Sequence, residues 1–138
     1  MESILRHILN SDIRVLSQTP QSGGDINAVF KIKTDQGTFC VKQNDRNRFP
    51  RMLEKEARGL KELSEKSEFH IPKVIGTYED DASQYLILEF VESGGKSPSF
   101  WEDFGRQLAH MHQQTSDRFG WFEDNYIGSL WQSNTKQD

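Results

Sequence analysis

A chain of 138 residues is long enough for one domain with a buried core, or for one domain and an appendage. Its charged fraction of 28% is ordinary and its formal net charge of −4 leaves no basic footprint, which argues against nucleic acid as a partner. Apolar runs such as Tyr85-Leu86-Ile87-Leu88 are far too short to span a bilayer, and Met1 to Asn10, with Glu2, Arg6 and His7, does not read as a signal peptide. A lone cysteine, Cys40, permits no internal disulfide and suits a reducing cytoplasm, the expected location.

Ile4, Leu5, Ile8 and Leu9 recur at helical spacing over Ser3 to Leu9, which predicts a helix on the domain's flank. Ile13-Arg14-Val15-Leu16 reads as a strand, broken by Pro20. Gly23 and Gly24 then predict a tight hairpin, because glycine tolerates positive φ and lets a ligand approach the backbone. Ala28 to Lys33 is the second strand, with Val29, Lys31 and Lys33 opposite Phe30 and Ile32. After the turn signal Asp35-Gln36-Gly37 comes a third, Thr38 to Gln43. Its alternation puts Cys40 and Lys42 on one face, Phe39 and Val41 on the other. A cation across from a glycine hairpin whose amides point inward is a phosphate site in outline.

A helix follows over Met52 to Glu65, with Met52, Glu56, Gly59, Leu60 and Leu63 on one face. Glu56 sits within that apolar stripe, where a carboxylate is costly unless a cation meets it. Lys42 is the natural cation; the alternative leaves Glu56 at the stripe's edge, facing water. Ile71 to Gly76 and Tyr85 to Phe90 read as two more strands, joined by the acidic turn Glu79-Asp80-Asp81-Ala82-Ser83. Five strands with a helix after the third suit an antiparallel sheet with a helix packed on one face, an α+β arrangement.

Beyond the break at Ser93-Gly94-Gly95, a second helix runs from about Ser99 to Gln114, its apolar face made of Trp101, Phe104, Leu108 and Met111. The tail from Phe119 to Gly128 is aromatic and irregular, unlike a disordered end, and so expects something to pack against. His110 and His112, two apart on a helix, point to opposed sides and cannot share a metal. Asp80-Asp81 lacks further ligands and reads as a turn. Trp121, Phe122 and Trp131 offer faces to a sugar, or belong to an apolar core between two lobes.

Singly, the Gly23-Gly24 turn and Lys42 are weak signals. Glycine hairpin, strand lysine, helix glutamate and a strand running into an extended segment, in that order, follow the N-terminal lobe of the protein-kinase-like fold. The runs Ser22-Gly23-Gly24-Asp25-Ile26-Asn27, Phe39-Cys40-Val41-Lys42, Glu56-Ala57-Arg58-Gly59-Leu60 and Leu88-Glu89-Phe90 resemble the fructosamine (ketosamine) kinase family. So do Leu108-Ala109-His110-Met111-His112 and the tail Phe119-Gly120-Trp121 through Asp124-Asn125-Tyr126-Ile127-Gly128, with Gln132 and Asn134 after it. The likeness covers nearly the whole chain.

The resemblance implies a kinase-like N-lobe over residues 1–92, a five-stranded antiparallel sheet plus one packed helix. Residues 93–138 would hold the hinge exit, the first C-lobe helix and the aromatic tail. It implies ATP and magnesium as cofactors, and a ketosamine as substrate, either a small molecule or a glycated protein lysine. Gly23 and Gly24, with Asp25 and Asn27, would shape the loop over the phosphates, Ser22 and Asn27 replacing the outer glycines of the protein-kinase pattern. Asp25 stands where some relatives carry a redox-sensitive cysteine. Lys42 would contact the α- and β-phosphates, held by Glu56; Val29 and Cys40 would roof the adenine. Glu89 and Val91 would offer backbone groups to the adenine edge, with Leu88 behind them.

The family's His-Gly-Asp catalytic loop and metal-binding aspartate have no match in these 138 residues. The expectation is therefore an ATP-binding half that transfers no phosphoryl group alone, lacking the main electrostatic supports of that reaction. It is also expected to self-associate through the uncovered face of Trp101, Phe104 and Leu108. Two alternatives stand beside it: an aminoglycoside- or choline-type phosphotransferase of the same fold, and a non-catalytic fragment that binds nucleotide or a partner.

Overall fold

A computed structural model of the chain describes residues 1–22 and 26–136. Alternating apolar side chains give the strands β1 (Val15–Gln21), β2 (Ala28–Thr34) and β3 (Gly37–Asp45), preceded by the helix α1 (Glu2–Leu9). Then come α2 (Met52–Lys66), β4 (Val74–Glu79), β5 (Ser83–Glu89), α3 (Phe100–His112) and the short strands β6 (Asn125–Ile127) and β7 (Leu130–Gln132). The first five strands form one antiparallel sheet in the order β1-β2-β3-β5-β4. The expected five-stranded sheet is thus present.

Register sorts the core into two layers. Phe30 pairs with Val41 and Val41 with Ile87, which places Ile32, Val41, Tyr85 and Ile87 together on one face. Ile4 and Leu5 of α1, with Ile13, close that face; Leu5, Ile13, Ile32, Val41 and Ile87 are fully buried. On the other face Leu86 and Leu88 meet Leu53 and Ala57 of α2, with Cys40, Leu60 and Val74 at the margin. α1 is therefore more than a flanking helix: it is the second outer layer. A Cβ on Gly76 would lie 2.6 Å from Ile8 Cγ2, so α1 rests almost directly on the β4 backbone.

Several boundaries move for local reasons. β1 begins at Val15 and not at Ile13, because the backbone before it is occupied by side chains. The Ile13 carbonyl accepts from Arg6 Nε at 3.0 Å and the Arg14 amide donates to Asp35 Oδ1 at 2.9 Å. Pro20 does not break this strand but lies within it, opposite Phe30. β1 is an edge strand, where a missing N–H costs no ladder bond on the open side. β4 starts at Val74, three residues later than the apolar run suggests, since Pro72 has no amide to donate and the Lys73 amide donates to Glu89 Oε2 at 3.1 Å.

Asp80 ends β4 as an Asx turn: its Oδ1 accepts from the Ala82 amide at 3.0 Å and the Ser83 amide at 2.7 Å. The Ser83 amide first, then the Ala82 amide, holds the Asp80 carboxyl below the usual aspartate range. A carboxyl whose pKa is lower when folded adds stability that is complete above the unfolded value and disappears as pH falls through the folded one. The acid limb of a melting-temperature profile should therefore flatten in Asp80→Asn, which keeps an acceptor and removes the charge. An unchanged limb would take this turn out of the acid response.

α3 buries none of its residues; Trp101 is 66% exposed and Phe104 42%, with Phe104 resting on Phe69 at a ring separation of 5.3 Å. The tail is less irregular than its composition suggests, because β6 and β7 pair as an antiparallel hairpin.

Candidate functional site

Lys42 lies near the middle of β3, where the pleat turns its side chain toward α2. Its ammonium meets Glu56 Oε1 at 2.5 Å, with the two side chains 22% and 31% exposed. The pair anticipated from strand alternation and helix spacing is thus formed, in a place that water still reaches. Both residues line a cleft of about 440 Å³ that Ile26, Asn27, Tyr126 and Gly128 close from the other sides.

Which face of α2 does this differs from the sequence reading. Met52, Glu56, Gly59, Leu60 and Leu63 form the wall of the cleft, and Leu63 remains 41% exposed. Leu53 and Ala57 supply the buried ridge that packs on the sheet. The Glu56 stripe is a largely apolar, cleft-facing wall, rotated from the core contact by roughly one residue's 100°. A carboxylate there is tolerable because the stripe borders an open cleft.

The remaining anticipated residues divide. Gly23, Gly24 and Asp25 lie outside the described residues. The chain reverses between Gln21 and Val29, which pair across β1 and β2. Asn27 is tied to β3, its Oδ1 accepting from Asn44 Nδ2 at 2.8 Å. Val29 pairs with Lys42, and Cys40 shares their face. Cys40 packs on the Leu53–Leu88 cluster, and this burial pushes its thiol pKa up; the Lys42 charge pulls it down and Glu56 raises it. Leu88 is buried. The Glu89 amide is committed to Lys73 O at 2.9 Å, while Val91 is 45% exposed.

Sequence reading missed two parts of this region. Lys31, opposite Cys40, reaches past the sheet to Glu92 Oε1 at 2.6 Å and lies 4.0 Å from the centre of the Phe90 ring. That pair spans from the sheet to the segment after β5, and the alternation of Lys31 with Val29 was its only sequence signal. The second is the hairpin at the cleft's mouth. Tyr126 Oη donates to Pro50 O at 3.2 Å and its ring meets Phe49 edge-on. Asn134 Nδ2 donates to Glu123 O at 3.1 Å and to Asn125 Oδ1 at 2.9 Å, and its amide donates to Asp124 Oδ1 at 2.7 Å. A Cβ at Gly120, where φ is +96°, would lie 2.9 Å from the carbonyls of Asn134 and Thr135, so only glycine closes this loop without displacement. The Asn125-to-Gly128 run and Asn134, quoted above only as a likeness, carry this architecture.

Among the described residues no three His, Cys, Asp or Glu side chains are grouped to hold a metal ion. His110 Nδ1 lies 3.1 Å from Glu68 Oε1 instead. Nor is any described helix long and apolar enough to cross a membrane.

An antiparallel five-stranded sheet, a helix whose glutamate pairs with a strand lysine, and an open cleft beside them define a protein-kinase-like α+β fold. Solved structures share the fold. A candidate fructosamine-3-kinase from Haemophilus somnus superposes with a TM-score of 0.86 at 24% identity, over 99% of this chain and 46% of that one. One from Thermobifida fusca gives 0.76 at 26% identity, over 99% and 48%. A probable ketoamine kinase of Enterococcus faecium is 33% identical over 129 residues, 93% of this chain and 44% of that protein. A chloroplastic protein-ribulosamine 3-kinase of Arabidopsis thaliana is 40% identical over 116 residues, 82% and 35%. The fructosamine kinase family profile matches residues 1–138, and the chain belongs to that family. It spans less than half the length of these relatives.

Proposed function

We propose that these residues bind ATP as the nucleotide-holding half of a ketosamine kinase, whose whole activity is transfer of the γ-phosphoryl group to a sugar hydroxyl of a glycated amine or glycated protein lysine. The observation that carries this reading is the Lys42–Glu56 pair facing an open cleft. Lys42 binds the α- and β-phosphate oxygens as a point charge, and Glu56 keeps the ammonium aimed into the cleft. Asn27, fixed by Asn44, bounds the phosphate end of the cleft. Val29 and Cys40 face the base from β2 and β3; since the Glu89 amide is already committed, Glu89 contributes its carbonyl and Val91 its backbone groups.

Magnesium enters as a shared cofactor, but the described residues present no ligand set for it. Family membership favours a ketosamine over an aminoglycoside or choline as the acceptor.

Titration calorimetry of the chain with ATP, with and without magnesium, tests this. Binding in about the 0.1–1 mM range is expected, with little gain from the metal. No saturable heat at about 10 mM ATP, some ten times the weakest value expected, removes the nucleotide reading.

A further inference from the structure

We infer that Glu123 is a positioning residue for the Lys42–Glu56 pair: the tail hairpin clamps α2 from outside and fixes the roll that points Glu56 at Lys42. The reason begins with what α2 lacks. Its contact with the sheet is narrow and lies toward its N-terminus: Met52, Leu53 and Ala57 are its buried residues, Leu60 is at the margin, and Leu63 one turn further is 41% exposed. A helix seated on so slim a ridge can roll, and each residue's 100° step converts a modest roll into a large sideways swing of a glutamate.

The opposite side of α2 carries the restraint. Lys55 and Arg58 are three apart and lie away from the Leu53–Ala57 ridge. Glu123 Oε2 takes both, Lys55 Nζ at 3.1 Å and Arg58 Nη1 at 3.1 Å. Lys55 also donates to Asp124 O at 2.5 Å and is only 9% exposed; Glu123 is 13% exposed. Three contacts therefore converge on the turn that contains Glu56. Their protein surroundings make them stronger than the surface ion pairs elsewhere on the chain, such as Lys66 with Glu62. The hairpin is itself braced by Asn134 and by Tyr126 on Pro50. Sheet and hairpin thus grip the helix from two sides, and Glu56 cannot leave Lys42 by a roll of α2 without disturbing Lys55 on Glu123.

The purpose of the clamp rests on the nucleotide reading, but its test does not. Amine acylation followed by mass spectrometry reads the shelter of Lys42 directly, with the exposed Lys33 as internal reference. Glu56→Gln sets the rate for an unpaired Lys42. Glu123→Gln, and more weakly Asn134→Ala, should raise Lys42 labelling several-fold toward that level while Lys33 stays constant. The double variant Glu56→Gln/Glu123→Gln should label no faster than Glu56→Gln, since both act on one pair. Lys42 remaining at its native rate in Glu123→Gln and Asn134→Ala, with helical circular dichroism intact, overturns the proposal. So does a Glu56→Gln chain whose Lys42 is no more reactive than before. Should Glu123→Gln fail to fold, Asn134→Ala, which touches no residue of α2, decides alone. Absent ATP binding would strike the nucleotide reading and leave these labelling outcomes standing.

Discussion

Lys42→Met should leave the chain folded and remove nearly all of its nucleotide affinity. The methionine keeps most of the aliphatic stem on the α2-facing side of β3, so packing beside Leu86, its cross-strand partner, changes little. What is lost is the ammonium, and Glu56 then stands without its partner. Breaking a fully buried pair costs about 3–5 kcal/mol, but Glu56 is 31% exposed and water can take over, so a penalty nearer about 1 kcal/mol follows. Nucleotide binding has no such relief. Charge-assisted hydrogen bonds contribute about 1.5–3 kcal/mol, so affinity should fall by about ten- to a hundred-fold. Glu56→Gln should cost less affinity, because the ammonium survives and loses only its aim. Calorimetry gives the affinity and urea melts the stability. A Lys42→Met chain that binds ATP like the unaltered one would place the phosphates elsewhere.

That pair was legible in the sequence because two periodicities intersect on it. Strand alternation puts Lys42 on the α2 side whatever the exact ends of β3, and the helical repeat puts Glu56 within one stripe of α2. Each rule survives an error of a residue or two at an element boundary. The purpose of the stripe was not legible. Leu63 looks like a core residue by composition yet is 41% exposed on the cleft, and Met52 and Leu60 serve both cleft and core; only the packing of Leu53 and Ala57 shows that the neighbouring face holds the core contact. Pro20 failed for a related reason: proline opposes a strand only where its amide would have been used, and an edge position cannot be recognised before strand order is known.

The tail shows the same limit more sharply. Phe119, Leu130 and Trp131 remain 79%, 68% and 56% exposed, so apolar burial does not explain why this segment is ordered. Its order comes from polar stitching, with Asn134 bonded across to Glu123 and Asn125 and Lys55 bonded to Glu123 and Asp124. Hydrophobic patterning carries no signal for such a network. The aromatics that made the tail conspicuous are mostly not what holds it.

Gln84→Leu should be the most damaging change outside the apolar core, and its cause lies at the entry to α2. The residue before that helix, Arg51, sits at φ 56° and offers no side-chain cap, while Phe49, Met52 and Leu53 around it are buried. The first amides of a helix have no partner inside it, so a buried entry needs an acceptor from elsewhere. Gln84 comes from β5 to supply it: 3% exposed, it accepts the Leu53 amide on Oε1 at 2.9 Å and donates Nε2 to the Phe49 carbonyl. Leucine nearly matches its volume and strands the Leu53 amide, while the Phe49 carbonyl keeps the Met52 amide at 3.2 Å. The orphaned buried amide costs about 1–3 kcal/mol out of the 5–15 kcal/mol typical of a domain. The melting midpoint should drop by about 4–12 °C. Gln84→Glu keeps the acceptor for Leu53 and gives up the donor to Phe49, adding a buried charge, and so should also melt early, most sharply at neutral pH where that carboxyl resists ionising. A Gln84→Leu midpoint within about 2 °C of the unaltered chain, less than 1 kcal/mol here, would mean that the Leu53 amide has found another acceptor and that α2 begins without help from β5.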